Sequence, residues 1–272
     1  MENSELIGFH LQVAYDGGAY CGWQVQPSVK TVQGEILHRL RRMLRCPELR
    51  IYGSSRTDAG VHALDQQVSF ALRLPAELSA EQLINKLNRW LPDDILITGW
   101  RLCRPDFNAR YNNFGKAYIY CLAPGIKVQP LLSRYVWRTP RALDLAAMRL
   151  AAAQLCGKHD YASFAVNPGK GKEPEDTVRH VYRLEVLAQD GLVYVVVIGE
   201  SFLYKMVRSL TGHLVHVGMG NRDAQETAAV LAGRDRALAA ESAPAQGLFL
   251  AKVFMQENQW RGYEPSLPPF AL

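Results

Sequence analysis

Across roughly the first hundred residues the spacing of apolar side chains switches between two periods, and the order of those switches limits the fold more than any single motif does. Ile7, Phe9, Leu11 and Val13 alternate with Gly8, His10 and Gln12, the pattern of a half-buried strand. Asp16-Gly17-Gly18 breaks it. Thr31 stands where a helix N-cap belongs, ahead of Val32, Ile36, Leu37, Leu40, Met43 and Leu44 at helical spacing. A short strand is expected near Arg50–Tyr52, and Val68, Phe70, Leu72 and Leu74 alternate again. Ser79 with Gln82 forms a capping box ahead of Leu83, Leu87 and Leu91, and Ile95–Trp100 reads as a further strand. The order β-α-β-β-α-β predicts a ferredoxin-like unit.

The second half repeats the pattern with padding. Strands are expected at Tyr118–Leu122, over alternating Val178, His180, Tyr182, Leu184 and Val186, and over the β-branched run Leu192–Ile198, which suits a central strand. Leu143–Leu155 predicts a helix ended by Gly157. Leu203, Met206, Leu210 and Leu214 mark another, Asp223 and Glu226 cap a third through Leu231, and Leu248–Met255 returns as a strand. Asn167–Asp176, rich in Pro, Gly and Lys, predicts a mobile loop. A boundary near Arg104–Phe107 gives two related α+β domains, residues 1–105 and 106–272.

Composition sets the class. The 272 residues are 48% hydrophobic and 21% charged, as in an ordinary globular chain, and 31 basic against 26 acidic side chains leave +5. That charge suits a focused phosphate-binding groove, although a mildly cationic solvated surface accounts for it equally well. Cys21, Cys46, Cys103, Cys121 and Cys156 are odd in number and lack zinc-like spacing, so reduced, mostly buried thiols and a cytoplasmic protein are expected. The N-terminus does not read as a signal peptide, and no apolar run approaches the ~20 residues of a membrane span.

The most unusual stretch is Gly53-Ser54-Ser55-Arg56-Thr57-Asp58-Ala59-Gly60-Val61-His62-Ala63. Small residues let the backbone turn tightly and let a bulky partner approach. Asp58, on a glycine-bounded loop between two strands, is placed to project into a cleft; a turn held by its own aspartate explains the same residues. The stretch lacks the Gly-x-x-x-x-Gly-Lys-Ser/Thr pattern of a phosphate loop.

Here the sequence resembles a known family. Tyr15-Asp16-Gly17, Tyr20, Gly22-Trp23-Gln24, Gln26 and Thr31-Val32-Gln33 look like the opening motif of the tRNA pseudouridine synthase A family. Arg56 through Ala63 is similar to its catalytic motif, and Phe107-Asn108-Ala109-Arg110 with Lys116-Ala117-Tyr118-Ile119-Tyr120 to its second. Phe202-Leu203-Tyr204-Lys205-Met206-Val207-Arg208 resembles the third, and Ala243-Pro244-Ala245-Gln246-Gly247-Leu248 the C-terminal one. The matches keep the family's order from about Tyr15 to Leu250. Ser54-Ser55 and the continuation Asp65-Gln66-Gln67 depart from the family's usual residues.

The resemblance implies two ferredoxin-like halves sharing a mixed, mainly antiparallel sheet with flanking helices and a central basic cleft, in a homodimer that binds tRNA. It implies isomerisation of uridine to pseudouridine at positions 38 to 40 of the anticodon arm, without metal, redox carrier or nucleotide cofactor. Asp58 takes the nucleophile's role, Arg208 the cation that keeps it ionised, and Tyr118 a ring on the flipped uracil with a hydroxyl near the departing proton. Arg56, Phe107 and Arg110 are implied to contact RNA. Lys170 and Lys172, on the expected mobile loop, either reach phosphate or are simply solvated. His62 and Trp23 read as structural. Arg39, Arg41, Arg42, Arg45 and Arg50 form a basic cluster that either meets RNA or simply faces solvent. Rival readings are a synthase with another RNA target, a catalytically silent RNA-binding module, and an acid–base hydrolase built on Asp58, for which no partner carboxylate has obvious spacing.

Overall fold

The computed structural model describes residues 5–167 and 176–267. The chain divides into two compact units, Met1–Phe114 with Lys252–Gln256, and Gly115–Ala251 with Glu257–Leu272.

In the first unit the elements are β1 (Leu6–Tyr15), α1 (Val32–Leu44), β2 (Tyr52–Gly53), β3 (His62–Arg73), α2 (Ala80–Trp90) and β4 (Ile95–Cys103). Strand β1 pairs antiparallel with β3 and β4, and β2 pairs antiparallel with β3. The order is therefore β4-β1-β3-β2, the ferredoxin-like arrangement. The apolar alternation drives it: Phe9 lies opposite Phe70 in register, and their rings stack at 4.9 Å. Ile36, Leu40, Leu83, Ile84 and Leu87 from the helices are fully or nearly fully buried, each contributing about 2 kcal/mol of apolar burial. Thr31 caps α1 by accepting from the Gly34 N–H, and the Ser79–Gln82 capping box is complete.

The second unit contains β5 (Lys116–Pro124), β6 (Trp137–Thr139), α3 (Leu145–Gln154), β7 (Gly157–Asp160), β8 (Val178–Gln189), β9 (Leu192–Gly199), α4 (Met206–Gly218), α5 (Thr227–Ala232) and β10 (Leu248–Val253), whose last two residues belong to the first unit. Its strand order β10-β5-β9-β8-β7 repeats the same four-strand arrangement with β7 added at the edge, and β6 lies parallel to β5, which makes the sheet mixed. Every residue of β9 is buried, as its unbroken β-branched run predicts for a central strand.

Some expectations are corrected. Helix α3 ends at Gln154 with Leu155 as its cap, and Gly157, at φ +111°, opens β7 instead. Helix α4 begins at Met206, so Leu203, expected on it, lies before its first turn. Of the five cysteines, all free thiols, only Cys121 is fully buried, and Cys21 is exposed. Residues 168–175, with Lys170 and Lys172 and most of the loop expected there, lie outside the described residues. Among the described residues no helix is long and apolar enough to cross a membrane.

Candidate active site

The loop from Ser54 to Val61 joins β2 to β3 in the first unit, and its backbone is held from beneath by buried side chains. Gln66 on β3 is wholly inaccessible. Its Oε1 accepts from Ser54 Oγ at 2.9 Å and the Ser55 N–H at 3.1 Å, while its Nε2 donates to Ser55 O at 2.8 Å. Thr57 is fixed twice, by a 2.7 Å hydroxyl pair with buried Tyr15 and by the Trp23 N–H donating to its carbonyl at 3.1 Å. Asp58 comes next, half-buried. Its carbonyl accepts from the Val61 N–H at 3.1 Å, closing a four-residue turn whose third member, Gly60, has φ +78°, as a type II turn requires.

The opening motif is the bed of this loop. A Cβ on Gly17 would stand 1.9 Å from Val61 O, and one on Gly22, at φ +88°, 2.6 Å from Thr57 O. His62 Nδ1 lies 3.0 Å from Asp16 Oδ1 and 3.1 Å from the Gly17 nitrogen. A single ring nitrogen cannot donate to the first and accept from the second at once. The two contacts alternate with the tautomer of the ring, and either one ties the start of β3 to the turn after β1. Trp23 packs against Gly53, leaving no room for a side chain there, and stacks on Tyr15.

Exposed Arg56 is brought near Arg110. Partial burial first, then the Arg110 charge, holds the Arg56 guanidinium below its ordinary value, with Tyr111 opposing. The half-buried Phe107 ring is centred 4.8 Å from that of His10. Between Phe107 and Arg110, fully buried Ala109 donates its N–H to Ser69 Oγ on β3 at 2.9 Å. The basic cluster on α1 is dispersed: Arg41 donates twice to Leu49 O, Arg39 pairs with Glu35, and Arg45 is the left-handed C-cap.

In the second unit two motifs converge on the C-terminal one. Arg208, half-buried on α4, donates through Nε to Ala243 O at 2.7 Å, and the Ala243 N–H returns a bond to Arg208 O at 2.9 Å. Gly212, one turn along, lets the strap pass, because a Cβ there would meet Glu241 O at 1.9 Å. On β5 the Tyr120 hydroxyl donates to Pro244 O at 2.7 Å, and Gly247 sits against the Tyr120 ring. Burial pushes the Tyr120 phenol well above its usual value, the Arg208 charge opposing. Tyr118, 7% exposed, meets Phe202 edge-on at 5.3 Å.

A family model described as tRNA pseudouridine synthase matches residues 151–254. The chain is 37% identical over 249 residues to the tRNA pseudouridine synthase A of Latilactobacillus sakei, covering 90% of this chain and 98% of that protein. It is 40% identical to the enzyme of that name from Thermosipho africanus, with the same coverage, and 38% identical to that of Geobacillus kaustophilus, covering 90% and 93%. The chain belongs to the tRNA pseudouridine synthase A family.

This family of isomerases thus has a member whose motifs serve largely as mutual supports. Asp58, Arg56 and Arg110 fall in the first unit, Tyr118 and Arg208 in the second. Sequence reasoning passed over the scaffold. Asp65-Gln66-Gln67, noted as a departure from the family's usual residues, is an anchor: Asp65 accepts from Gln67 Nε2, from the Val253 N–H at 3.0 Å and from Lys252 Nζ at 3.0 Å. Burial pushes the Asp65 carboxyl up, and these three donors oppose that shift. Three consecutive polar residues between Leu64 and Val68 break the strand's alternation, but they read equally as a solvent-facing edge.

Proposed function

We propose that the protein isomerises uridine to pseudouridine in the anticodon stem-loop of tRNA, at positions 38 to 40, with Asp58 as the nucleophile. The observation that carries the reading is a half-buried carboxylate on a turn whose flanking backbone is fixed on both sides, in a chain related over nine-tenths of its length to enzymes named for this reaction. A nucleophile held this way spends little entropy on reaching its attacking geometry.

In the reaction the bond between N1 and the sugar breaks, the base rotates, and a carbon–carbon bond forms from C5. The proton lost from C5 is balanced by one gained at N1. Asp58 attacks and later leaves, so the enzyme ends unchanged. Arg208 is assigned the role of keeping that carboxylate ionised, and its backbone-latched guanidinium supports the assignment, since an arginine fixed at one nitrogen loses less freedom on pairing. Tyr118 is assigned the uracil face and the C5 proton. Arg56, Arg110 and Phe107 are assigned to RNA contact, and the lysines at 170 and 172 to further phosphate. A cytoplasmic homodimer is the expected working form.

Incubating the purified protein with unmodified tRNA transcripts, without added metal or cofactor, should yield pseudouridine at one or more of positions 38 to 40. Absence of product from several correctly folded tRNAs defeats the reading, and product confined to other positions defeats the target assignment.

A further inference from the structure

The segment that follows Phe107 carries an aromatic ring for which the reaction above has no use. Tyr111 is 75% exposed, whereas Tyr15, Tyr20 and Trp23 of the same unit are all buried. Its backbone is not loose. The Asn108 carbonyl accepts from the Tyr111 N–H at 3.0 Å and the Asn112 N–H at 2.8 Å, and Asn112 Oδ1 accepts from the Asn108 N–H at 2.8 Å. Asn108 Oδ1 takes the Arg110 N–H at 3.0 Å, and the Asn113 amide donates to the carbonyls of Ala109 and Arg110 at 3.1 and 2.8 Å. Three asparagines therefore lock a turn, which Ala109 anchors to β3 through Ser69.

A large ring held out in water on a rigid turn gives up the free energy that folding it inward would gain, and an unpaired planar base is a ligand that recovers it. The charge around it has the matching sign. The Arg110 guanidinium lies 5.8 Å from the Tyr111 ring centroid, and Arg56, two residues before Asp58, is close enough to Arg110 for their charges to oppose each other. Two guanidiniums beside one exposed ring are what a nucleotide needs, phosphate on the cations and base on the ring.

We infer that Tyr111 is a stacking platform for an unpaired RNA base, a neighbour of the target in the loop, with Arg110 and Arg56 holding the phosphate beside it. The inference rests on the RNA-modifying reading and adds a base-binding position to it. Stacking is tolerant of base identity, so the platform serves a range of loop sequences and contributes affinity rather than chemistry.

The test uses the full chain carrying Asp58→Asn, so that substrate does not turn over, and two labelled RNAs: an anticodon-arm stem-loop and a blunt duplex of equal length. Adding Tyr111→Ala should weaken stem-loop binding by roughly ten- to a hundredfold and duplex binding by less than about twofold, with the salt dependence unchanged. Tyr111→Phe should bind within about twofold of the parent, because the ring remains. Arg110→Gln should instead weaken both RNAs and make the slope of log affinity against log salt shallower by about one. Stem-loop binding by Tyr111→Ala at parental strength, or an equal loss on both RNAs, overturns the platform. Failure of the unsubstituted protein to make pseudouridine while this binding pattern holds would break the isomerase reading and leave the platform standing.

Discussion

The two units share one strand order but treat the connection between its second and third strands in opposite ways. In the second unit β8 and β9 are joined by Asp190-Gly191, both at positive φ (52° and 76°) between the paired Gln189 and Leu192. That is the shortest hairpin a twisted sheet accepts, and the type I′ turn favours this dipeptide. In the first unit the connection between β2 and β3 runs from Ser54 to Val61, and it needs Gln66, Tyr15, Trp23 and close contacts from two glycines to hold its course. Each connection carries an aspartate. Only Asp58 has a cradle, and the difference teaches that a carboxylate at this place in the topology becomes a candidate for chemistry when neighbouring strands supply supports that a tight turn does not require.

The largest effect should separate those two aspartates. Asp58→Asn is expected to lower pseudouridine formation on the order of 10³-fold or more while tRNA binding stays within about threefold. Asp190→Asn should leave activity unchanged and shift stability by no more than about 0.5 kcal/mol, since asparagine suits the left-handed region at least as well. Single-turnover isomerisation beside filter binding reads the first, and urea unfolding the second. Equal loss of activity in both variants would remove the distinction.

The glycines sharpen the contrast. Gly22→Ala places a Cβ 2.6 Å from Thr57 O at φ +88°, so strain and collision add, and a loss of about 2–4 kcal/mol in urea unfolding is expected, with activity falling alongside. At Gly191 the nearest atom to a new Cβ is Ile126 Cδ1 at 3.9 Å, which leaves only the strain of φ +76°, about 1 kcal/mol, and activity intact.

A pH series compares the units through one histidine each. Burial, then the neighbouring Arg101 charge, holds His10 at about 4; burial, then Arg222 and His216, holds His213 at about 4. Both are below the ordinary 6.5, so between pH 6.5 and 4 the unfolded chain binds protons that the folded chain refuses. The contribution is full above pH 6.5 and is lost as pH falls toward 4, each histidine adding up to ~1.4 kcal/mol per pH unit to the slope. Replacing either with Gln should halve that part of the slope, provided each titrates on its own.

How much of this could be read beforehand follows from where the determining contacts lie along the chain. Strand order in both units was legible because β1, β3, β8 and β9 are long enough for their apolar periods to register. Strands β6 and β7, three and four residues long, are too short to show any period. The Arg56–Asp58 loop stood out through its small residues, but its supports did not. Gln66 and Asp65 have the composition of a solvent-facing edge, and their burial depends on partners such as Val253, 188 positions away. Arg41 looked like a surface charge and is instead a double donor to Leu49 O, a local bond that spacing on one helix cannot reveal. Tyr111 carried no signal, since nothing in the sequence separates an exposed tyrosine from a buried one.

The smallest expected effect sets one buried hydroxyl against another. In the first unit the Tyr15 hydroxyl meets Thr57 Oγ1 at 2.7 Å, one residue before Asp58. In the second, Tyr194 on β9 is fully buried and its hydroxyl has no hydrogen-bond partner among the described residues, with burial pushing the phenol to about 12. Removing a hydroxyl that is paired costs about 1 kcal/mol, whereas removing one that is buried and unpaired relieves a desolvation penalty of similar size. Tyr15→Phe should therefore destabilise the protein slightly and lower the single-turnover rate by about tenfold with tRNA affinity unchanged, the signature of a group that positions the nucleophile without touching substrate. Tyr194→Phe should be neutral or stabilising by up to ~1 kcal/mol, with the rate untouched. If Tyr15→Phe loses stability but keeps its full rate, the hydroxyl pair belongs to the core and Asp58 is held by the backbone contacts of Trp23 and Val61 instead.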